Sequence, residues 1–216
     1  MEKKVKISVL MATYNTDFFL IKRAIDSVLN QDFQDFELII IDDGSHNDTQ
    51  NELFDYVRVH KNRIVYMHHA NCGQSQSINR GVLMCQGDYI TIIDSDDEYK
   101  AHHLSSCLKS VRHVDLIAST TETIVDSIED YYVPDKFDKK QLIHVDDCVL
   151  FATLFGKKEV FMNTQFKNDY AADADFFQRA SQKYCVKKFD LRTYIYYRNM
   201  PNSICATVKK QSLVLA

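Results

Sequence analysis

The sequence predicts an α/β fold, with a mostly parallel central sheet flanked by helices and a small mixed region after it. Three observations carry this. Over roughly the first 90 residues, short β-rich apolar runs alternate with helical spacings, which calls for βαβ units with right-handed crossovers. Two of these strands stop in acids, at the carboxyl ends where open α/β sheets place their ligands. After Tyr99 the alternation breaks down into irregular spacing.

Lys6–Ala12 reads as the first strand, followed by the polar turn Thr13-Tyr14-Asn15-Thr16. Asp17–Asn30 places apolar residues at 18, 21, 25, 28 and 29, a helical period. Phe36–Ile41 is a continuous apolar run ending in Asp42-Asp43-Gly44-Ser45. Thr49–His60 reads as a second helix whose start lies in Ser45-His46-Asn47-Asp48, all capping or turn residues. Ile64–His68 is a third strand. Asn71–Gln74 is a turn, and Ser75–Gln86 a third helix closed by Gly87 as its C′ residue. Four of the five glycines (44, 73, 81 and 87) fall in this half, placing its tight turns and close backbone approaches there.

The next strand begins at Tyr89 and stops in four acids within five residues, Asp94, Asp96, Asp97 and Glu98. Carboxylates this close repel one another unless a cation or a hydrogen-bonding ligand offsets the charge. Oxygen donors of this kind suit Mg²⁺ or Mn²⁺, whereas a solvated acidic turn is the plainer reading of Asp-x-Asp alone. Beyond it, Ala101–Val111 reads as a helix and Asp115–Ala118 as a short strand. Residues 120–147 have no clear register, and Val149–Phe161 contains at least one strand. Ala172–Gln182 is a helix opening on Asp173 and Asp175, with Tyr184–Phe189 and Thr193–Tyr197 as closing strands and a frayed tail after Lys209.

At 216 residues with 45% hydrophobic content, the chain can bury a substantial core as one domain. A net charge of −4 without a basic run argues against nucleic acid as a partner. Met1-Glu2-Lys3-Lys4 leads straight into the first strand without an apolar leader, and no apolar run reaches the roughly 20 residues of a membrane span. The expected location is cytoplasmic, with peripheral contact at the inner membrane face allowed. The six cysteines show no Cys-x-x-Cys spacing and read as reduced thiols, not a disulfide frame or zinc site. His68, His69, His102, His103 and His144 are taken as surface or core residues.

Several blocks, in order, resemble the family 2 glycosyltransferases of GT-A fold. They are Val9–Asn15, Ile41-Asp42-Asp43-Gly44-Ser45, Gly87–Ile90 leading into Asp94-Ser95-Asp96-Asp97, Ala172–Ala180, and Tyr197–Ile204. The resemblance covers most of the chain except roughly 118–160. It implies a GT-A-like, Rossmann-type sheet in a single domain, with residues 1–100 binding the nucleotide sugar and residues 101–216 forming the acceptor side. It also implies an inverting, nucleotide-sugar-dependent transferase using Mn²⁺ or Mg²⁺. The favoured donor is a UDP-sugar, and the acceptor a hydroxyl of a saccharide, glycolipid or other molecule, as in surface polysaccharide synthesis.

Carried over residue by residue, the resemblance puts Thr13, Tyr14 and Asn15 at the nucleotide, with Tyr14 offering a stacking face. Asp42 would accept from a uracil or thymine N3–H, while Asp43 reads as an acid capping the next helix. Asn79 would approach the base or ribose, although the family often has a basic residue before it and this chain has Ile78. Asp94, Ser95 and Asp96 would meet the donor. One of Asp96 and Asp97 would bind the metal and a neighbour the ribose hydroxyls, a choice the sequence leaves open. Asp173 matches the catalytic base, although the family commonly has Glu where this chain has Ala172. Arg198 and Ser203 lie where a cation could neutralise phosphate. With no tryptophan in the chain, Tyr99 is the aromatic candidate nearest the metal site for stacking a sugar.

A nucleotidyltransferase would need a glycine- and lysine-bearing loop after the first strand, and Thr13-Tyr14-Asn15-Thr16-Asp17 has neither. The remaining alternative is a non-catalytic nucleotide-sugar binder, or a truncated transferase lacking acceptor function.

Overall fold

The computed structural model describes residues 5–47, 49–136, 141–169 and 171–198. The fold is a helix–sheet–helix sandwich. Its first half runs β1 (Ile7–Thr13), α1 (Phe18–Leu29), β2 (Phe36–Asp42), α2 (Thr49–Val59), β3 (Ile64–His68), α3 (Gln74–Met84) and β4 (Tyr89–Ile92). The second half runs β5 (Glu98–Tyr99), α4 (His103–Ser110), β6 (Leu116–Ile124), β7 (Tyr132–Pro134), β8 (Leu142–His144), β9 (Leu154–Lys157), α5 (Lys158–Thr164), α6 (Ala172–Ser181) and β10 (Val186–Tyr197), with short 3-10 turns between.

The main sheet has the order β3-β2-β1-β4-β9-β6-β10-β5, and β7 pairs with β8 apart from it. Strands β3, β2, β1 and β4 are parallel, as the alternating pattern predicts. β9 enters antiparallel between β4 and β6, β10 lies parallel to β6, and β5 lies antiparallel to β10.

Both sheet faces are covered, which explains the continuous apolar runs in β1 and β2. Val9, Met11, Leu38 and Ile40 pack with Ile21, Ile25, Leu53 and Leu104 from α1, α2 and α4. The alternate residues Leu10, Ile39 and Ile41 pack with Ile78, Val82, Phe161 and Phe176 from α3, α5 and α6. Asp17 caps α1 by accepting from the Phe19 amide at 2.8 Å, satisfying one of the donors a helix start leaves open.

Some element readings change. The strand predicted as Asp115–Ala118 runs on to Ile124, because β10 and β9 pair with it from both sides. The two closing strands are one, β10, with a register shift between Phe189 and Tyr194. Gly87 is not a left-handed C′ residue, since the glycines at positive φ are Gly44 and Gly73. It is needed for close approach to β1, where an added Cβ would come within 2.6 Å of the Ser8 nitrogen. The expected frayed tail after Lys209 lies outside the described residues, as do Asp48, Ser203 and the rest of the last block beyond Arg198. Cysteines 72, 85, 107, 148 and 185 are free thiols. Among the described residues, no helix is long and apolar enough to cross a membrane.

Candidate active site

Parallel register brings the candidate residues to one sheet edge. Thr13 pairs with Asp42 across β1 and β2. On the other side of β1, the pairing of Leu10 with Ile92 continues as the Ile93 amide bonding Leu10 O at 2.9 Å, which carries Asp94 to the same edge. The Asp97 amide bonds Asp94 O at 3.3 Å and folds the acids back as a turn. Ser95, inside it, shares a 2.8 Å hydrogen bond with Thr16.

The three aspartates of this turn have different surroundings. Asp94 is half-buried and accepts from Gln74 Nε2 at 2.8 Å. Burial lifts its pKa to about 7, and the charges of Asp96 and Asp173 add to that rise. Burial also raises Asp96, with its own amide and Arg23 pulling the other way. Asp97 is only 1% exposed. Tyr194 Oη donates to its Oδ2 at 2.7 Å and the Tyr197 amide to its Oδ1 at 2.8 Å. Burial, then Asp94 and Asp96, hold it well above the ordinary carboxylate range.

Asp173 comes from the first turn of α6, 79 positions after Asp94, yet its charge acts on Asp94 directly. Burial pushes it up to about 6, against the opposing bond from the Ala174 amide at 2.8 Å. Asp175 turns to an ion pair with Arg179 Nε at 2.7 Å, the ordinary i,i+4 contact of a helix. Two carboxylates two positions apart thus have different partners.

At the end of β1, Tyr14 is 49% exposed and faces His46 with ring centroids 6.0 Å apart. Asn15 adopts φ 52°, a left-handed turn conformation that asparagine tolerates. It is fastened to the β2 turn: its amide donates to Ser45 Oγ at 2.9 Å and its Oδ1 accepts from the His46 amide at 2.9 Å. Thr13 Oγ1 is buried with no hydrogen-bond partner among the described residues. Asp42, 1% exposed, accepts from the Ser45 amide at 2.8 Å and Tyr66 Oη at 2.6 Å.

Several expected roles meet a different geometry. Both functional atoms of the Asn79 side chain are engaged by Phe166, its Nδ2 donating to Phe166 O and its Oδ1 accepting from Phe166 N, each at 2.8 Å. Asn79 therefore ties α3 to the segment after α5, with one N–H and one lone pair of its amide left over. Tyr99 is not a sugar platform: it is buried, stacks on His103 at 3.8 Å and donates to Ile92 O at 2.8 Å. Asp43 accepts the amides of Cys72 and Gly73 at the entry to α3, at 2.8 and 2.9 Å, and so serves α3 and not α2 among the described residues. Each oxygen of Asp97 accepts one hydrogen bond from β10, whereas no such strand contact holds the Asp96 carboxylate among the described residues. Arg198 ends β10 beside Ile124, its amide donating to Ile124 O at 2.9 Å and its guanidinium 5.7 Å from the Tyr196 ring. Both Arg198 and Asp173 act electrostatically on Cys148.

Sequence reading missed Arg23, Gln74, Tyr194 and Tyr197. Arg23 hydrogen-bonds Asp96 O, lies 3.2 Å from Glu98 Oε1 and stacks on Tyr197 at 4.0 Å. Nothing local marks a single arginine on an amphipathic helix. The tyrosines sat in a segment read simply as a closing strand.

The family described as Glycosyl transferase family 2 matches residues 8–179. The chain belongs to glycosyl transferase family 2. Glycosyltransferase GlyG of Streptococcus pneumoniae is 36% identical over 110 residues, covering 50% of this chain and 36% of GlyG. This family 2 chain thus spans little more than a third of that relative. Its fold is GT-A. Staphylococcus aureus TarS 1-349 in complex with UDP-GlcNAc superposes with TM-score 0.70 at 18% identity, over 94% of this chain and 61% of that one. The mannosyltransferase PcManGT of Pyrobaculum calidifontis, in complex with GDP-Man and Mn²⁺, gives TM-score 0.73 at 15% identity, over 96% and 60%.

The divalent cation implied for a family 2 chain has a fitting donor set here. Asp94 and Asp96 present oxygen donors only; burial raises the proton affinity of both, and neighbouring carboxylates add to that of Asp94, so a cation held there would be favoured.

Proposed function

We propose that this chain transfers a sugar from a nucleotide-sugar donor, a UDP-sugar by preference, to an acceptor hydroxyl with inversion at the anomeric carbon. The observation that carries the reading is the convergence of Asp173 on Asp94. Asp173, at the start of α6, lies near enough for its charge to raise Asp94 after β4, as expected if residues 101–216 bring the base to a donor site built by residues 1–100. The complexes of TarS with UDP-GlcNAc and of PcManGT with GDP-Man and Mn²⁺ support the donor class and the ion.

In this reading the nucleoside lies against the exposed Tyr14 face, with Thr13, Asn15 and the β2 turn forming the wall. The buried, unpartnered Thr13 hydroxyl is a donor and acceptor with capacity to spare. Asp42 retains acceptor capacity for a base N3–H beside its two existing bonds. Asp94 and Asp96 hold Mn²⁺ or Mg²⁺, with Ser95 keeping the turn in place. When bound, that ion would neutralise charge on the diphosphate leaving group. Asp173 takes the proton from the acceptor hydroxyl, and its pKa near 6 leaves it largely ionised at neutral pH while raising its basicity. Arg198, just after β10, would supply a positive charge for donor phosphate. Surface polysaccharide or glycolipid synthesis at the cytoplasmic face of a membrane is the setting we propose.

A second reading rests on the chain's length relative to GlyG and the two structures: a donor-binding unit without acceptor function. One experiment separates them. Thermal unfolding is recorded with a panel of nucleotide sugars in Mn²⁺ and in EDTA, since a ligand that binds the folded state raises the midpoint. Transfer to saccharide and lipid-linked acceptors is then assayed with the stabilising donor. Mn²⁺-dependent stabilisation with transfer supports the transferase. Stabilisation without transfer on any acceptor supports the second reading, and no stabilisation by any nucleotide sugar overturns both.

A further inference from the structure

We propose that Asp43, His69 and Cys72 form a second metal site, for a thiophilic divalent cation of the zinc class, beside the wall of the donor pocket. Their ligand atoms lie within 4.8 Å of one another and come from two segments: the end of β2 for Asp43, and the connection between β3 and α3 for His69 and Cys72. No Cys-x-x-Cys pair exists, and the His69-Ala70-Asn71-Cys72 spacing gains its third ligand, Asp43, only through the fold.

The spacing suits one four-coordinate ion. With zinc–nitrogen, zinc–oxygen and zinc–sulfur bonds of ordinary length at tetrahedral angles, nitrogen and oxygen ligands sit about 3.4 Å apart and nitrogen and sulfur about 3.6 Å. Here His69 Nδ1 lies 3.5 Å from Asp43 Oδ1 and 3.7 Å from Cys72 Sγ. The set of one imidazole, one thiolate and one carboxylate is a zinc-type donor set, with a water as the fourth ligand. It differs in kind from the oxygen-only Asp94–Asp96 site.

The surroundings orient these ligands. Asp43 is held by the amides of Cys72 at 2.8 Å and Gly73 at 2.9 Å, which with other bonds keep its carboxyl below the usual range although burial opposes them. Ser77 Oγ lies 3.3 Å from His69 Nε2 and 3.9 Å from Cys72 Sγ, so the ring can donate its Nε2–H to Ser77 while Nδ1 binds the ion. The ring's other neighbour is Ala70 O, 2.8 Å from Nδ1. Without the ion, Nδ1–H donates there; with it, that proton resides on Nε2 and the imidazole stays neutral. The thiol proton alone leaves for solvent. Binding therefore releases one proton per ion, forms a metal–sulfur bond and requires no oxidant or reductant. The ion would staple the Asp42–Asp43 turn to the start of α3, next to the residues proposed to face the nucleoside.

The test uses the full chain with Co²⁺ and Zn²⁺ as probes. Co²⁺ should give an intense near-ultraviolet thiolate-to-metal band with about one ion per chain, abolished by excess Zn²⁺. Calorimetry in buffers of different ionisation enthalpy should show release of about one proton per Zn²⁺. Cys72→Ser should remove the band and weaken Zn²⁺ binding more than about 100-fold. Ser77→Ala, which removes a neighbour of all three ligands without removing a ligand, should weaken it about 10- to 100-fold. Asp96→Asn should leave the band intact, separating this site from the proposed Mn²⁺ site, so either reading can fail alone. Circular dichroism of each variant confirms folding. Absence of the thiolate band from the wild-type chain overturns the proposal without recourse to any variant, as does unchanged Zn²⁺ affinity in folded Cys72→Ser.

Discussion

Tyr194 donates its hydroxyl to Asp97 at 2.7 Å, joining two residues 97 positions apart in the interior of the protein. The same hydroxyl accepts the Asp94 amide at 3.2 Å. One phenol from β10 thus fixes both ends of the acidic turn, and the adjacent strand backbone completes the hold through the Tyr197 amide. The last strand of the sheet therefore shapes the acidic turn.

Breaking that link should cost stability more than metal affinity. Tyr194→Phe leaves Asp97 buried with one partner fewer and should lower the unfolding free energy by about 1–3 kcal/mol. Asp96→Asn should remove the Mn²⁺ dependence of UDP stabilisation. Urea titrations and thermal shifts with Mn²⁺ or EDTA would measure both. Tyr194→Phe abolishing the Mn²⁺ effect while unfolding normally would reverse the assignment.

Asp173→Asn should leave donor affinity intact and reduce turnover by about 10²–10⁴-fold, the usual span for losing a general base. Asp175→Asn breaks only the Arg179 pair and should be far milder. In the wild type, kcat should rise with pH below about 6 and level off above it, as the Asp173 carboxyl ionises. Steady-state kinetics of both variants across pH 5–8 checks this, and a dead Asp175→Asn beside an active Asp173→Asn would exchange their roles.

Metal-free protein should lose stability as pH rises through the acid-to-neutral range. Asp94 titrates near 7 and Asp173 near 6 when folded, against an unperturbed value of 3.8. Between those limits the folded state binds more protons than the unfolded state, so the unfolding free energy falls with rising pH. Carboxylates held low, such as Asp26, Asp115 and Asp175, act in the opposite sense and in a more acidic window. The unfolding midpoint in EDTA should therefore decline from about pH 4 to 7, Asp94→Asn should flatten the decline, and Mn²⁺ should oppose it. A midpoint that climbs steadily over that interval contradicts the charge crowding at the site.

Asn79→Ala removes both bonds to the Phe166 backbone and leaves two half-buried groups unpaired. It should destabilise the protein by about 1–3 kcal/mol with nucleotide affinity unchanged. Isothermal titration with UDP and Mn²⁺ on the folded variant is decisive, because a large loss of affinity restores Asn79 to the binding site.

Local pattern determined much of this protein. The strand–helix alternation of residues 7–92 is readable because β1 and β2 are buried on both faces and so carry uninterrupted apolar runs, while α1 repeats its apolar residues with helical period. The acids at the ends of β2 and β4 are legible for the same reason: parallel strands deliver their carboxyl ends to one edge whatever their register. What the tertiary structure alone decided is which polar atoms those acids spend on the fold. Asp96 and Asp97 are neighbours of like chemistry, and only the arrival of Tyr194 and Tyr197 on β10 separates them. Asn79 looks like a ligand residue until Phe166 takes both ends of its amide. Asp43, His69 and Cys72 meet only once β2 and β3 pair and α3 begins. Hydrogen-bond partners drawn from residues tens of positions apart leave no periodic trace in a chain, since they depend on where whole elements dock rather than on the local spacing that builds each element.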